Sequence, residues 1–180
     1  METTYNLRGH LIDKQIKAVA LSRPEAQLYE PLPNSVLISY AGNHKGKMAR
    51  TIPAEVKKRY RAVLEMPVDD ISPDGSGKSS WFNFFSADSY HAFDQNDYQR
   101  LHTFIETYQD CYFVVHCDAG ISRSSATALY IAKKYAPQDY DLLTSFNIYY
   151  PNVRIFGYLS DGAMSPEIHQ KYSKLLRTFL

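Results

Sequence analysis

Cysteine is scarce in this chain: Cys111 and Cys117 are the two among 180 residues. If they flank one extended strand they stand roughly 20 Å apart, which excludes a disulfide between them and rules Cys111 out as a resolving thiol. Charge of one sign is scarce too, with a net of +1. That leaves no basic face for nucleic acid and none for an anionic membrane, and neither is an expected partner. No apolar run is long enough to span a bilayer. The opening residues Met1 to Asn6 lack the basic start and apolar core of a secretory signal, so a cytoplasmic location is expected. Metal-ligand clusters are absent from the pattern, and neither a metal nor a cofactor is expected. There is also no internal repeat and no composition break. A composition of 44% hydrophobic and 22% charged residues suits one globular domain over 1–180, large enough to bury a substantial core.

What is present is concentrated in His116-Cys117-Asp118-Ala119-Gly120-Ile121-Ser122-Arg123-Ser124. Tyr112 to Val115 before it reads as a buried strand, and Ser125 to Ala132 after it reads as a helix. A thiol and a guanidinium thus stand at the two ends of a short loop. The backbone amides of Asp118, Ala119, Gly120, Ile121 and Ser122 can converge there on an anion, at a helix N-terminus whose unpaired N–H groups and dipole favour negative charge. The same setting, with Arg123 nearby, lowers the pKa of Cys117 and supplies a thiolate nucleophile. Arg123 offers a planar fork to two phosphoryl oxygens, which a lysine point charge does not. Gly120 lets the backbone turn where a side chain would obstruct the cradle. Ser124 is placed to donate to the sulfur, and His116 to orient the loop rather than to transfer protons.

This segment resembles the signature of the cysteine-dependent protein tyrosine phosphatase superfamily: His-Cys, five residues, then Arg followed by Ser or Thr, set between a parallel strand and a helix. The run from Val115 to Ser124 is most similar to the compact dual-specificity branch, including bacterial and phage-borne members, with weaker likeness from Val36 to Leu159. Tyr150-Pro151-Asn152 looks like the segment that opens the helix behind the loop in that branch. Asn152 is then either a plain helix cap or a contact to the loop or the attacking water. The resemblance implies a metal-independent phosphomonoester hydrolase working through a cysteinyl-phosphate, with a phosphorylated protein or peptide as partner. It also implies an aspartate general acid on a loop after the preceding strand. Asp70, in Met66-Pro67-Val68-Asp69-Asp70, is favoured; Asp88 is the runner-up, and Asp69 is a further alternative.

Elsewhere the chain alternates strands and helices. Ile16 to Leu21, Val36 to Tyr40, Tyr60 to Met66 and Tyr112 to His116 read as strands. Asp94 reads as the N-cap of an amphipathic helix carrying Leu101, Phe104, Ile105 and Tyr108 on one face, with Phe93 and Tyr98 as its staple. Pro137 marks a helix stop, and Asp139 to Phe146 suggests another short helix. Ser165-Pro166 opens a last one that buries Ile168, Tyr172, Leu175, Leu176 and Phe179. The expected fold is α/β: one domain with a central, mostly parallel sheet of about four to five strands flanked by helices on both faces, protein tyrosine phosphatase-like. The segment 72–80, rich in turn residues, reads as flexible and adjoins Asp70 as a candidate lid.

Asp118 beside the pocket would repel a second phosphate, so a singly phosphorylated side chain is expected. Phosphotyrosine is favoured if the cleft is deep, with tyrosines such as Tyr90 and Tyr158 as possible walls. Two other classes remain open. One is a pseudophosphatase that binds phosphorylated partners but turns over slowly, and the other is a thiol enzyme of different chemistry on a similar loop. A phosphatase of a non-protein phosphate ester is a further alternative.

Overall fold

Apolar runs rich in valine, isoleucine and leucine form the sheet, because strands buried on both faces need no polar alternation. In the computed structural model, which describes residues 5–7, 10–12, 15–44, 47–48, 51–71, 90–145 and 149–177, these runs are β3 (Ala18–Ser22), β4 (Ser35–Tyr40), β7 (Val63–Met66) and β8 (Tyr112–Cys117). They lie in the order β3-β8-β4-β7, and every pairing is parallel. The sheet therefore has four strands. Two short antiparallel pairs stand apart from it: β1 (Tyr5–Leu7) with β2 (His10–Ile12), and β5 (Asn43–His44) with β6 (Lys47–Met48).

Seven helices complete the described residues: α1 (Arg23–Leu28), α2 (Ala54–Lys57), α3 (Gln95–Thr107), α4 (Arg123–Tyr135), α5 (Pro137–Ser145), α6 (Val153–Asp161) and α7 (Pro166–Arg177). Helix α4 is the hub, packing on β3, β8, α5 and α6. Its residues from Arg123 to Ala132 are all buried, and the small side chains Ser124, Ser125, Ala126, Thr127 and Ala128 allow that close approach. No helix is long and apolar enough to cross a membrane among the described residues.

The strands lie within two or three residues of their expected positions. Tyr60 belongs to the turn after α2, so β7 starts at Val63. Asp94 caps α3 as expected, in a reciprocal capping box with Asp97. Phe93 and Tyr98 both pack on the Tyr158 ring, at centroid distances of 5.5 and 6.2 Å, which ties the start of α3 to α6. Pro137 ends α4 and also opens α5, because its fixed φ and missing N–H suit a first helical position. In α7, Tyr172 and Leu176 are buried but Leu175 is exposed. A helix whose partner lies on one side cannot bury two adjacent positions equally. Phe146 and Phe179 lie outside the described residues.

Candidate active site

Parallel pairing gathers the carboxyl ends of all four strands along one edge, where open α/β sheets bind ligands. Cys117 ends β8 there, opposite Ser22 at the end of β3. Its neighbour His116 lies opposite Ser39 of β4. Arg123 begins α4, with five residues between it and Cys117. The loop between turns at Gly120, whose φ of 72° is costly for any residue with a Cβ.

Cys117 is 1% exposed, at the floor of this loop. Its sulfur lies 3.1 Å from the Ser124 hydroxyl, and the Gly120 N–H donates to that sulfur at 3.2 Å. Burial by itself pushes the thiol pKa up. The Ser124 hydroxyl and backbone N–H, the Arg123 charge and the Gly120 N–H outweigh burial, and the net shift is downward. The site therefore favours a thiolate. His116, wholly buried, pairs its Nε2 with Ser39 Oγ at 2.7 Å. Burial, reinforced by the charges of Arg23, Arg123 and Lys57 against a backbone contact with Cys117, pushes its pKa down to about 4. A neutral imidazole at physiological pH fits the orienting role.

Arg123 is 4% exposed. It donates from one terminal nitrogen to the Val68 carbonyl at 2.8 Å and from the other to Asp118 Oδ2 at 3.0 Å. Its Nε lies 4.0 Å from Asp70 Oδ2 and has no hydrogen-bond acceptor among the described residues. A buried guanidinium N–H with no acceptor is costly, and a phosphoryl oxygen would satisfy it. Behind the loop, Ser125 Oγ donates to the carbonyls of Ile121 and Ser122. Thr127 Oγ1 reaches the Arg123 carbonyl at 3.3 Å and Tyr40 OH at 2.7 Å.

Of the acid candidates, Asp70 lies at the loop. Its Oδ1 accepts from Ser122 Oγ at 2.6 Å and from Asn152 Nδ2 at 3.1 Å, and its side chain is 42% exposed. Asp69 turns the other way. Its Oδ2 accepts from the His91 N–H at 2.7 Å, and its own N–H donates to the His91 carbonyl at 2.8 Å. Asp88 and the segment 72–80 lie outside the described residues. Asn152 stands both at a helix start and against the loop. Its Oδ1 caps α6 by accepting from Ile155 N–H, its amide reaches Asp70 and the Ile71 carbonyl, and its backbone N–H donates to the Ser122 carbonyl.

Three contributors escaped the sequence reading. Arg23 forms an ion pair with Asp118 Oδ1, and its backbone N–H donates to the Asp118 carbonyl at 3.3 Å. Ser39 holds His116, and Val68 anchors Arg123 through its carbonyl. Signals for two of them were present: a serine within the apolar run Val36-Leu37-Ile38, and an arginine directly after a strand. The Val68 carbonyl left no signal, since every residue has one. Asp118 accordingly faces Arg23 and Arg123 rather than standing as an uncompensated charge. Tyr158 is buried among Phe93 and Tyr98, so it is core rather than a cleft wall. Tyr150 is instead 59% exposed, and its N–H donates to the loop carbonyl of Ile121 at 3.0 Å.

No family model and no curated protein matches the chain. Among solved structures it is similar to Tk-PTP in the active form, with a TM-score of 0.40 and 11% identity over 92% of this chain and 95% of that one. It is also similar to PTPMT1 in complex with PI(5)P, with a TM-score of 0.38 and 13% identity over 79% of this chain and 80% of that one. These are distant likenesses of overall fold, from which no activity is transferred.

Proposed function

We propose that this protein is a metal-independent phosphomonoester hydrolase of the protein tyrosine phosphatase type, acting through a cysteinyl-phosphate. The observation that carries this reading is the loop itself. A buried sulfur with lowered pKa lies near a guanidinium that keeps one buried donor without an acceptor among the described residues, and a carboxyl group is tethered at the loop's rim. In the first step Cys117 Sγ attacks phosphorus and the ester P–O bond breaks. Asp70, as the general acid, gives a proton to the leaving oxygen. In the second step water attacks the phosphoenzyme, Asp70 takes up its proton, and the S–P bond breaks to return the thiolate. The Ser124 hydroxyl, 3.1 Å from the sulfur, stabilises that departing charge. Arg123 follows the equatorial oxygens through both transition states.

The preferred substrate in this reading is a phosphotyrosyl protein or peptide. Depth supports it, because the thiol of a cysteine residue 1% exposed is reached more readily by a long aryl ester than by a short alkyl one. The exposed ring of Tyr150, anchored beside Ile121, offers a face for the substrate's aromatic ring. The proposed setting is cytoplasmic, where a free nucleophilic thiol persists.

The test is phosphate release from matched phosphotyrosyl and phosphoseryl peptides in excess chelator. Wild type should act on the phosphotyrosyl peptide at the higher rate, Cys117→Ser should be inactive, and Arg123→Lys should lose most of the rate. Metal-dependent release, or release by Cys117→Ser, would remove the mechanism. Phosphate binding without release would instead favour a phosphate-binding module.

A further inference from the structure

The register of β3 against β8 sets Ser22 opposite Cys117, so the next residue on each chain, Arg23 and Asp118, also meet. They meet twice: through the backbone, and through the ion pair between the Arg23 guanidinium and Asp118 Oδ1. The placement is built in rather than incidental. Ser22 caps α1 in a reciprocal box with Glu25, which fixes the start of the helix that carries Arg23. The other Asp118 oxygen, Oδ2, accepts from Arg123 at 3.0 Å. One carboxylate therefore bridges two arginines, and it takes up a terminal nitrogen of Arg123 that an entering phosphate needs for a two-point grip.

We propose that Arg23 is a positioning residue of the phosphate site: it retains the Asp118 carboxylate when an entering phosphate displaces that carboxylate from Arg123. This rests on the phosphate-binding reading of the loop. Asp118 acts as an internal competitor for Arg123, and Arg23 is where its charge stays compensated once phosphate has won. Without Arg23, a phosphate dianion would have to dislodge a carboxylate with no other cationic partner among the described residues and then lie beside it, a repulsion felt in the ground state and transition state alike. Uniform effects of this kind appear in KM and leave kcat nearly unchanged.

The test is calorimetric binding of inorganic phosphate, alongside steady-state kinetics on a phosphotyrosyl peptide, for wild type, Arg23→Gln, Arg23→Lys, Asp118→Asn and the Arg23→Gln/Asp118→Asn double variant. Arg23→Gln should weaken phosphate binding and raise KM by about tenfold, the order expected for one close charge-assisted contact, with kcat held within about twofold. Arg23→Lys should recover most of the loss, and Asp118→Asn should bind phosphate more tightly than wild type. In the Asp118→Asn background Arg23→Gln should have little effect, because no carboxylate remains to be held. An equal Arg23→Gln penalty in both backgrounds, or none in either, would overturn the proposal. If Arg23→Gln does not fold, Asp118→Asn alone decides, since weaker or unchanged phosphate binding contradicts an internal competitor. Phosphate binding that follows this pattern without turnover would sink the hydrolase reading and leave the inference standing. A wild type that neither binds phosphate nor releases it would sink both.

Discussion

Ser122 donates its hydroxyl to Asp70 Oδ1 at 2.6 Å, so the candidate acid is held by the loop that would cradle the phosphate. With Asn152 Nδ2 on the same oxygen at 3.1 Å, Asp70 Oδ2 is left to face the pocket side, 4.0 Å from Arg123 Nε. A general acid matters most when the leaving group is a poor one. Asp70→Asn is therefore expected to lower kcat on a phosphotyrosyl peptide by about 10²-fold or more, within the range seen for acid–base groups, and to lower it far less on an aryl phosphate with a good leaving group. Ser122→Ala should follow the same leaving-group pattern with a smaller loss. If Asp88→Asn behaves this way and Asp70→Asn does not, the acid has been assigned to the wrong residue.

Asp69 and His91 exchange two hydrogen bonds, at 2.7 and 2.8 Å. They thereby tie the residues after β7 to those before α3, and His91 Nε2 extends the link to Asp97 Oδ2 at 2.6 Å. Asp97 belongs to the capping box of α3, so the residue beside Asp70 is tied to the start of a long helix. Asp69→Ala is expected to lower kcat on a phosphopeptide by about tenfold, because a small displacement of the acid is costly. Asp69→Asn keeps an acceptor oxygen and should largely restore activity. A full loss in Asp69→Asn as well would point to Asp69 as the acid itself.

The two ends of the candidate loop were legible because their chemistry is local: a strand, a turn at Gly120 and a helix start fix Cys117 and Arg123 within one short stretch. Periodicity placed the strands and α3 for the same reason. Arg23 and Ser39 were out of reach, although each has a signal, because their roles depend on strand order. Only with β8 between β3 and β4 do Ser22 meet Cys117 and Ser39 meet His116. Leu175 was misjudged where a face of α7 had to be divided between core and solvent, which periodicity does to no better than one position.

Ser124 is the side-chain neighbour of the sulfur, and the Cys117 thiol lies below its ordinary pKa despite burial. Inactivation by a small alkylating agent, followed against pH, should therefore show a midpoint below the usual thiol range. The rate should fall as pH drops through that midpoint and the thiolate is protonated. Ser124→Ala should move the midpoint upward, and a burst of product should become visible if phosphoenzyme breakdown slows. An unchanged midpoint would assign the thiolate to the backbone amides and Arg123 alone.

Gly157 of α6 lies close to Met164, just before α7, and to Ile168 within it. A Cβ built there would lie 2.5 Å from Met164 Cε and 3.2 Å from Ile168 Cγ2. Met164 is flexible at that atom, but the branched Ile168 side chain is not. Gly157→Val should therefore cost about 1–3 kcal/mol, the usual range for overpacking a well-filled interface, read as a lower denaturation midpoint at constant m-value. Met164→Ala in the same chain should recover part of the loss if the clash is the cause.

His116 links the fold's stability to pH through the site. Its folded pKa of about 4 lies below the 6.5 of an unperturbed imidazole. Between those values the unfolded chain binds a proton that the folded chain refuses, so stability rises with pH across that window and falls as pH drops through it. The full cost, reached below about pH 4, is on the order of 3 kcal/mol. Denaturant unfolding from pH 7 down to pH 4 should show this loss in wild type. His116→Asn cannot titrate and should flatten the slope while being less stable near pH 7, since it repacks a buried site and alters the contact with Ser39 at 2.7 Å. Equal slopes in the two proteins would mean that His116 is charged in the folded state, which would reopen a proton-transfer role for it.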